Sequence, residues 1–201
     1  MKNENATNDY EGYFSHLKNI SFLGRVYKRF FTSPILYFCA RSFGKSILEV
    51  GSGTGSGVLG AFPHHVRGLE INPASVAYCL SRGLCVQHID DDGIFPVDDD
   101  SVDVCILDNV LEHIEIPEGT LAECHRVTTK HGGLIIVVPG IRGYNSDHDH
   151  KKFYATTDLK NLDPRWKLLH LFSFPFIITT ERLSESMRQY CLVAMYAKVD
   201  L

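Results

Sequence analysis

ILEVGSGTG, at residues 47–55, joins a short apolar run to glycines at every second position. Such a run is typical of a buried strand, and the apolar residues after the glycines predict a helix over 56–62. Glycine permits the positive φ angles of a tight turn and lets a ligand approach the backbone. The segment therefore predicts a strand, a ligand-binding loop and a helix. A flexible linker would not be joined to apolar elements on both sides.

Short apolar runs and helical patterns alternate on both sides of this loop. Alternation of this kind predicts βαβ units, a parallel sheet and an α/β fold. Asn72-Pro73 has the chemistry of an N-cap followed by a first-turn proline. The two last runs form a hairpin-like pair around a turn- and helix-like stretch at 179–188. The predicted strands are 46–50, 66–71, 85–89, 102–107, 134–138, 166–176 and 191–199, and the other predicted helices are 73–82 and 117–127.

The segment before the first strand has a helical pattern of its own. Apolar residues recur at three- and four-residue steps over 13–31, which predicts a helix. Ser33-Pro34 is expected to interrupt it, and a second apolar stretch follows at 35–43. Residues 1–46 carry seven Lys or Arg against three acids.

Composition excludes several classes of protein. The chain has 201 residues, of which 44% are hydrophobic and 22% charged, as in an ordinary globular domain. A net charge of −4 supplies no general attraction to nucleic acid. We find neither a secretory signal nor an apolar stretch of the roughly 20 residues that cross a membrane. The six cysteines form no C-x-x-C pair, so we expect reduced thiols in a cytoplasmic protein and no structural zinc.

Two frames of the glycine loop suggest different ligands. Residues 55–60 match G-x-G-x-x-G, the dinucleotide fingerprint, but this match begins four residues after the place where the tight turn should start. The frame Glu49-x-Gly51-x-Gly53-x-Gly55 begins directly after the strand. Its acidic residue would repel a pyrophosphate and would suit a ligand with a cationic amino-acid part.

Six motifs in order carry a resemblance to a known family. On these residues the chain resembles the class I S-adenosylmethionine-dependent methyltransferases, in particular the methyltransferase type 11 group, over about residues 46–140. The resemblance implies a Rossmann-like, mostly parallel seven-stranded sheet with helices on both faces and an antiparallel last strand. The motifs are EVGSGTG (49–55), Glu70, DDDGIFPV (90–97), DDDSVDV (98–104), DNVLEH (108–113) and GGLII (132–136).

The resemblance implies S-adenosylmethionine as cofactor and assigns residues to it. Glu70 corresponds to the acid that holds both ribose hydroxyls, and either Asp90 or Asp91 to the contact with the adenine amine. The carboxyl ends of adjacent parallel strands meet in one crevice, which agrees with this assignment. Glu70 as a helix-start charge, and the Asp runs as solvated turns, stay open as alternatives. The candidate cofactor-binding residues are Glu49, Gly51, Ser52, Gly53, Gly55, Glu70, Ile71, Asp90, Asp91, Asp108 and Asn109.

Three histidines are the candidate general bases. Methyl transfer is an in-line displacement that needs a base only when the acceptor must lose a proton. His113 follows the fourth strand, where Glu112-His113 could equally be a helix-surface pair. His148 and His150 alternate with acids in a polar loop at 144–152. That loop suits a base with an orienting carboxylate, a weak divalent-metal site or a solvated turn. We assign no metal, because no sequence-distant ligand is identifiable.

The expected organisation is an N-terminal helical lid or substrate region at 1–45 and a cofactor-binding domain at 46–201. We expect a small-molecule or lipid- or sugar-linked acceptor and no nucleic acid. The basic helical region could favour an anionic acceptor or could be a solvated face of a packed helix. Two alternative functions are an NAD(P)-dependent oxidoreductase on a related sheet and a catalytically silent S-adenosylmethionine-binding module.

Overall fold

Seven strands form one mixed sheet in the order β3-β2-β1-β4-β5-β7-β6. The computed structural model describes residues 26–175 and 181–200. Neighbours from β3 through β5 are parallel, while β7 is antiparallel to both β5 and β6. The predicted fold class is therefore confirmed, including the antiparallel last strand.

The element bounds follow the predicted order. The strands are β1 (Ile47–Val50), β2 (Val66–Glu70), β3 (Val86–His88), β4 (Val102–Asp108), β5 (Thr128–Pro139), β6 (Trp166–Phe174) and β7 (Cys191–Lys198). The α-helices are α1 (Ser33–Arg41), α2 (Val58–Ala61), α3 (Pro73–Ser81), α4 (Glu118–Val127), α5 (Ile141–Tyr144), α6 (Thr156–Lys160) and α7 (Glu181–Ser186). The Asn72 side chain accepts the N–H groups of Ala74 and Ser75, which confirms the predicted N-cap.

The fifth strand begins earlier than its apolar run. We predicted 134–138, whereas β5 starts at Thr128, which pairs with Val102 of β4, and pairing with β4 resumes at Gly133 after an irregularity. The polar residues at its start gave no local strand signal. Gly133 is required there, because a Cβ atom would lie 2.3 Å from the ring of Phe43.

Helices cover both faces of the sheet and bury alternate strand residues. On one face, Cys105 and Leu107 of β4 pack with Leu121 of α4. On the other face, Val104 and Ile106 pack with Leu36 of α1. Because the central strands are covered on both sides, their sequences are nearly continuous apolar runs.

The N-terminal helical segment is continuous across Ser33-Pro34, and the predicted interruption is wrong. A π-helical turn at Lys28–Thr32 leads directly into α1. The Ser33 N–H reaches back to the carbonyl of Lys28, and Pro34 lies in the first turn of α1. Pro34 cannot donate a backbone hydrogen bond to the preceding turn, and it lies where the π-helical turn passes into α1. Residues 13–25 of the predicted helix lie outside the described residues.

A search of the described ranges found no helix long and apolar enough to cross a membrane.

Candidate functional site

The glycine loop turns sharply at the carboxyl end of β1. Gly51, Gly53 and Gly55 have φ angles of +70°, +54° and +66°. The N–H groups of Gly51 and Ser52 both donate to the carbonyl of Leu69, which ties the loop to β2. Side chains disfavour these backbone angles, so alternate glycines are what this turn requires.

The Glu49 side chain connects the end of β1 to the start of α2, the two elements that flank the glycine loop. Its carboxylate accepts the N–H groups of Val58 at 3.2 Å and Leu59 at 2.6 Å, so it occupies the start of α2. A Cβ atom at Gly57 would lie 2.2 Å from Glu49 Oε1. Burial and the neighbouring Asp108 carboxylate raise the pKa of Glu49 to about 7, although Lys28 and the two N–H donors oppose the rise.

Glu70 connects β2 to the same loop. Its Oε2 accepts the Gly53 N–H at 2.6 Å, and its Oε1 accepts the Asn72 N–H at 2.8 Å. Burial raises the pKa of Glu70 despite these hydrogen bonds. Because Asn72 is the N-cap of α3, the Glu70 carboxylate lies at the start of that helix as well as beside the glycine loop, and both interpretations of its charge stay open.

A crevice of about 780 Å³ runs from the glycine loop along the carboxyl ends of the strands. This volume is suitable for a cofactor-sized ligand. The sequence-predicted residues that line it are Glu49, Gly51, Ser52, Gly53, Glu70, Ile71, Asp108, Asn109, His113 and His150.

Four predicted residues lie outside this lining. A Cβ atom at Gly55 would lie 2.4 Å from Leu84, which follows α3, and 3.2 Å from Cys79 of α3, so the glycine allows close packing there. Asp90 and Asp91 are exposed, and the Asp90 carboxylate lies 3.1 Å from His88 Nδ1. His148 is also exposed. The neighbours of the two aspartates that do line the crevice are apolar Ile89 and Phe95.

Lys28 enters the crevice from the N-terminal helical segment. Its Nζ lies 3.0 Å from Asp108 Oδ2, and the Asp108 side chain is only 4% exposed. Burial alone would lower the pKa of Lys28, but Asp108 and Glu49 outweigh it and raise the pKa to about 12. The Asp108 carboxylate also accepts the side-chain amide of Asn109, whose φ of +56° turns the chain after β4.

Glu112, His113 and His150 meet at the other end of the crevice. The His113 and His150 rings lie 4.7 Å apart, and His150 Nε2 lies 3.9 Å from Glu112 Oε1. The backbone N–H groups of Lys151 and Lys152 donate to the Glu112 carbonyl, which fastens the 144–152 loop to the turn that carries Glu112. Burial raises the pKa of Glu112 to about 8, and burial together with His150 lowers the pKa of His113.

Sequence reasoning did not assign Lys28 or Glu112 to the site. Lys28 had only a regional signal, the excess of cations before β1, and nothing local linked it to Asp108. Glu112 is one residue before a predicted histidine, but it was also consistent with a helix surface. It is instead buried in a 3-10 turn, Leu111–His113.

Comparisons with known proteins agree with the motifs. Residues 48–137 match the family model of the methyltransferase domain. A search of curated proteins found no match. The domain match agrees with the resemblance to class I S-adenosylmethionine-dependent methyltransferases, and solved structures of such proteins share the fold.

Three solved structures illustrate the shared fold. A SAM-dependent methyltransferase from Aquifex aeolicus superposes with a TM-score of 0.65 at 16% identity, covering 94% of this chain and 98% of that one. One from Archaeoglobus fulgidus has a TM-score of 0.65 at 16% identity, covering 85% and 94%. The N-methyltransferase NodS from Bradyrhizobium japonicum, solved with S-adenosylhomocysteine, has a TM-score of 0.62 at 14% identity, covering 84% and 86%.

Proposed function

We propose that this methyltransferase binds S-adenosylmethionine along the glycine loop and Glu70. We further propose that it methylates a small molecule, or the terminal group of a lipid- or sugar-linked molecule, held near His113 and His150. The observation that carries the proposal is the crevice, which connects the glycine loop to these histidines. Donor and acceptor could meet within it.

The chemistry of the loop end suits this cofactor. Ser52 lines the crevice, but its hydroxyl oxygen is buried next to Gly68 of β2, so the backbone of the loop is the part that a ligand would contact. Glu49, Glu70 and Asp108 supply carboxylates to the same lining. Carboxylates accept hydrogen bonds from vicinal hydroxyls and attract a sulfonium or an ammonium group. The residues therefore fit a cofactor that carries a ribose and a cationic amino-acid part.

The start of α2 argues against a nicotinamide dinucleotide. Dinucleotide-binding sheets place a pyrophosphate at the N-terminus of the helix that follows the glycine loop. Here the Glu49 carboxylate already accepts the N–H groups of Val58 and Leu59 at that position. A pyrophosphate would have to displace a carboxylate or lie beside it.

S-adenosylmethionine supplies a methyl group on a sulfonium, and its transfer leaves S-adenosylhomocysteine. The role we assign to the protein is to hold the acceptor in line with the methyl group and to exclude water. His113 and His150 are our candidates to orient the acceptor and to accept its proton where one must leave, because both line the crevice. His148 is a weaker candidate, since it is exposed and absent from the lining.

The contact made by Lys28 supports a lid role for the N-terminal region. Lys28 reaches Asp108 from outside the sheet and lines the crevice. The same helical segment exposes Phe30, Phe31 and Phe38, each at least 60% accessible. Lys28 lines the crevice and the three phenylalanines do not, so the cation is the feature of this segment that would suit an acceptor with an anionic part.

Ligand binding tests the cofactor proposal directly. S-adenosylhomocysteine should raise the melting temperature through a stabilisation of RT ln(1 + [L]/Kd), and NAD should not. A shift with NAD alone would support the oxidoreductase. No shift with millimolar S-adenosylhomocysteine would refute the cofactor site. If binding occurs, release of S-adenosylhomocysteine in the presence of an acceptor panel separates an active enzyme from a silent binding module.

A further inference from the structure

Glu112, His113 and His150 form a compact group of potential metal ligands. One ligand atom from each residue lies within 4.8 Å of the other two. Glu112 and His113 belong to the 3-10 turn after β4, and His150 belongs to the loop after α5. The three therefore come from two chain segments that the fold brings together.

The Glu112 carboxylate is buried in this group with no side-chain hydrogen-bond partner in the part of the chain that the structure describes. The residue is 1% exposed, and the one hydrogen-bonding group that stabilises its charge there is its own backbone N–H. Burying a polar group in this way costs free energy unless something satisfies it. Lys28, a cation of the crevice lining, is paired with Asp108 instead. The site therefore requires a positively charged or proton-donating group next to Glu112.

The orientation of His150 leaves a nitrogen lone pair facing Glu112. Its Nδ1 lies 2.7 Å from the carbonyl oxygen of Tyr144, so Nδ1 carries the proton and donates it there. Nε2 of the neutral ring is then an acceptor, 3.9 Å from Glu112 Oε1. Two acceptors face each other across a gap that metal–nitrogen and metal–oxygen bonds of roughly 2.0–2.2 Å can span.

Surrounding groups hold both imidazoles in place, as outer-shell partners do in metal sites. The Tyr144 ring stacks on His150 with centroids 5.1 Å apart and an angle of 19° between planes. The backbone of Asp149 forms a hydrogen bond with His113. Asp147 and Asp149 also line this end of the crevice and add negative charge.

We propose that Glu112, His113 and His150 bind a divalent transition-metal ion such as Zn²⁺. Two imidazoles and one carboxylate suit zinc, iron and manganese, whereas Mg²⁺ and Ca²⁺ prefer sites made only of oxygen. All three residues line the crevice, so the remaining coordination positions face the proposed acceptor region. This site does not depend on the identity of the cofactor.

Either the metal ion or a proton can occupy the gap between Glu112 Oε1 and His150 Nε2. A protonated Glu112 could donate a hydrogen bond to His150 Nε2 and satisfy the same atoms. An imidazole that binds the cation through Nε2 cannot accept a proton there from an acceptor. A bound metal ion therefore excludes the base role proposed for His150. The two hypotheses predict different results when the protein is titrated with metal ions.

Titration of the chelator-treated full-length protein with Co²⁺ and Zn²⁺ tests the site. We expect one ion per chain by calorimetry, and visible Co²⁺ absorption without the charge-transfer bands of cobalt–thiolate bonds. Those bands would indicate binding at thiols such as exposed Cys85 or crevice-lining Cys191. Absence of a stoichiometric site in the folded wild-type protein would overturn the proposal and leave the proton as the occupant.

Near-isosteric variants identify the ligands. Glu112→Gln and His150→Gln should each weaken Zn²⁺ binding at least tenfold, because even outer-shell changes cost about 10–100-fold. The matched controls are His64→Gln and Glu115→Gln, whose parent residues are exposed and outside the crevice lining, and they should bind as the wild type does. Unchanged Zn²⁺ affinity in both cluster variants would refute the assignment. S-adenosylhomocysteine binding, measured separately on each protein, distinguishes failure of the metal site from failure of the cofactor site.

Discussion

Replacement of Glu70 by glutamine or alanine separates two roles that this carboxylate could combine. It ties the glycine loop to β2 through the Gly53 and Asn72 N–H groups, and we propose that it also contacts the cofactor. Glu70→Ala would remove the acceptor of both donors. The buried Asn72 N–H accounts for about 1–3 kcal/mol of lost stability, whereas the half-buried Gly53 N–H lines the crevice and can bind water instead. That loss is a large fraction of the total of about 5–15 kcal/mol that stabilises a typical domain.

Glu70→Gln is the more informative change. Glutamine keeps the size of the side chain and one carbonyl acceptor, so one of the two hydrogen bonds survives. We expect a loss of roughly 1–3 kcal/mol in the free energy of unfolding, from the one bond that fails. If the carboxylate also binds the cofactor, S-adenosylhomocysteine affinity should fall by about 10–100-fold, since hydrogen bonds to charged groups contribute about 1.5–3 kcal/mol.

Two measurements on the same samples are needed. Denaturant unfolding without ligand reports the loop-tying role, and calorimetric titration with S-adenosylhomocysteine reports the cofactor contact. Glu185→Gln, at an exposed position outside the crevice lining, is the matched control and should alter neither quantity. A folded Glu70→Gln protein that binds S-adenosylhomocysteine with wild-type affinity would refute the cofactor contact and leave Glu70 as a structural tie alone.

Three further predictions concern the loop and the buried charges. Gly51→Ala should destabilise the protein and weaken S-adenosylhomocysteine binding, because the new Cβ would lie 2.6 Å from a methyl group at a φ of +70°. Gly83 has a φ of +73°, and a Cβ atom added there would have no other atom within 4 Å, so Gly83→Ala measures the backbone strain alone, about 1–2 kcal/mol. Glu49, an acid whose folded-state pKa is raised to about 7, should make the wild type lose stability as pH rises from about 4.5 to about 7. Measured by urea unfolding, the free energy of unfolding of the wild type should fall by roughly 3 kcal/mol relative to that of Glu49→Gln between pH 4 and pH 8. If the two proteins change in parallel with pH, the prediction is wrong. Lys28→Met should lower stability by about 1–3 kcal/mol by leaving the buried Asp108 carboxylate unpaired, and this loss should largely disappear in an Asp108→Asn background if the pair is the cause.

The amino-acid sequence determined the sheet and the glycine loop because their signals are local. A buried strand needs only a short apolar run, and the run before Gly51 ends where β1 ends. Alternate glycines encode positive φ angles one residue at a time, and all three adopt them. Asn72 and Pro73 likewise encode the start of α3 within two positions. Each of these features depends on residues that are neighbours in the chain.

Local signals failed where tertiary packing determines the backbone. Thr128 begins β5 because it pairs with Val102 of β4, although the continuous pairing of the two strands starts only at Gly133. Ser33-Pro34 continues a helix that the proline was expected to interrupt. In both cases the backbone conformation follows from partners that a short window of sequence does not contain.

Only the tertiary structure decided which charged side chains face each other in the crevice. Lys28 meets Asp108 because the N-terminal helical segment lies over the carboxyl end of β4. His150 meets Glu112 because the backbone of its loop is fastened to the turn after β4. The sequence contained all four residues, but their separations depend on the order of the strands and the path of the loops. Those properties arise from packing across the whole sheet, so no motif of neighbouring residues encodes them.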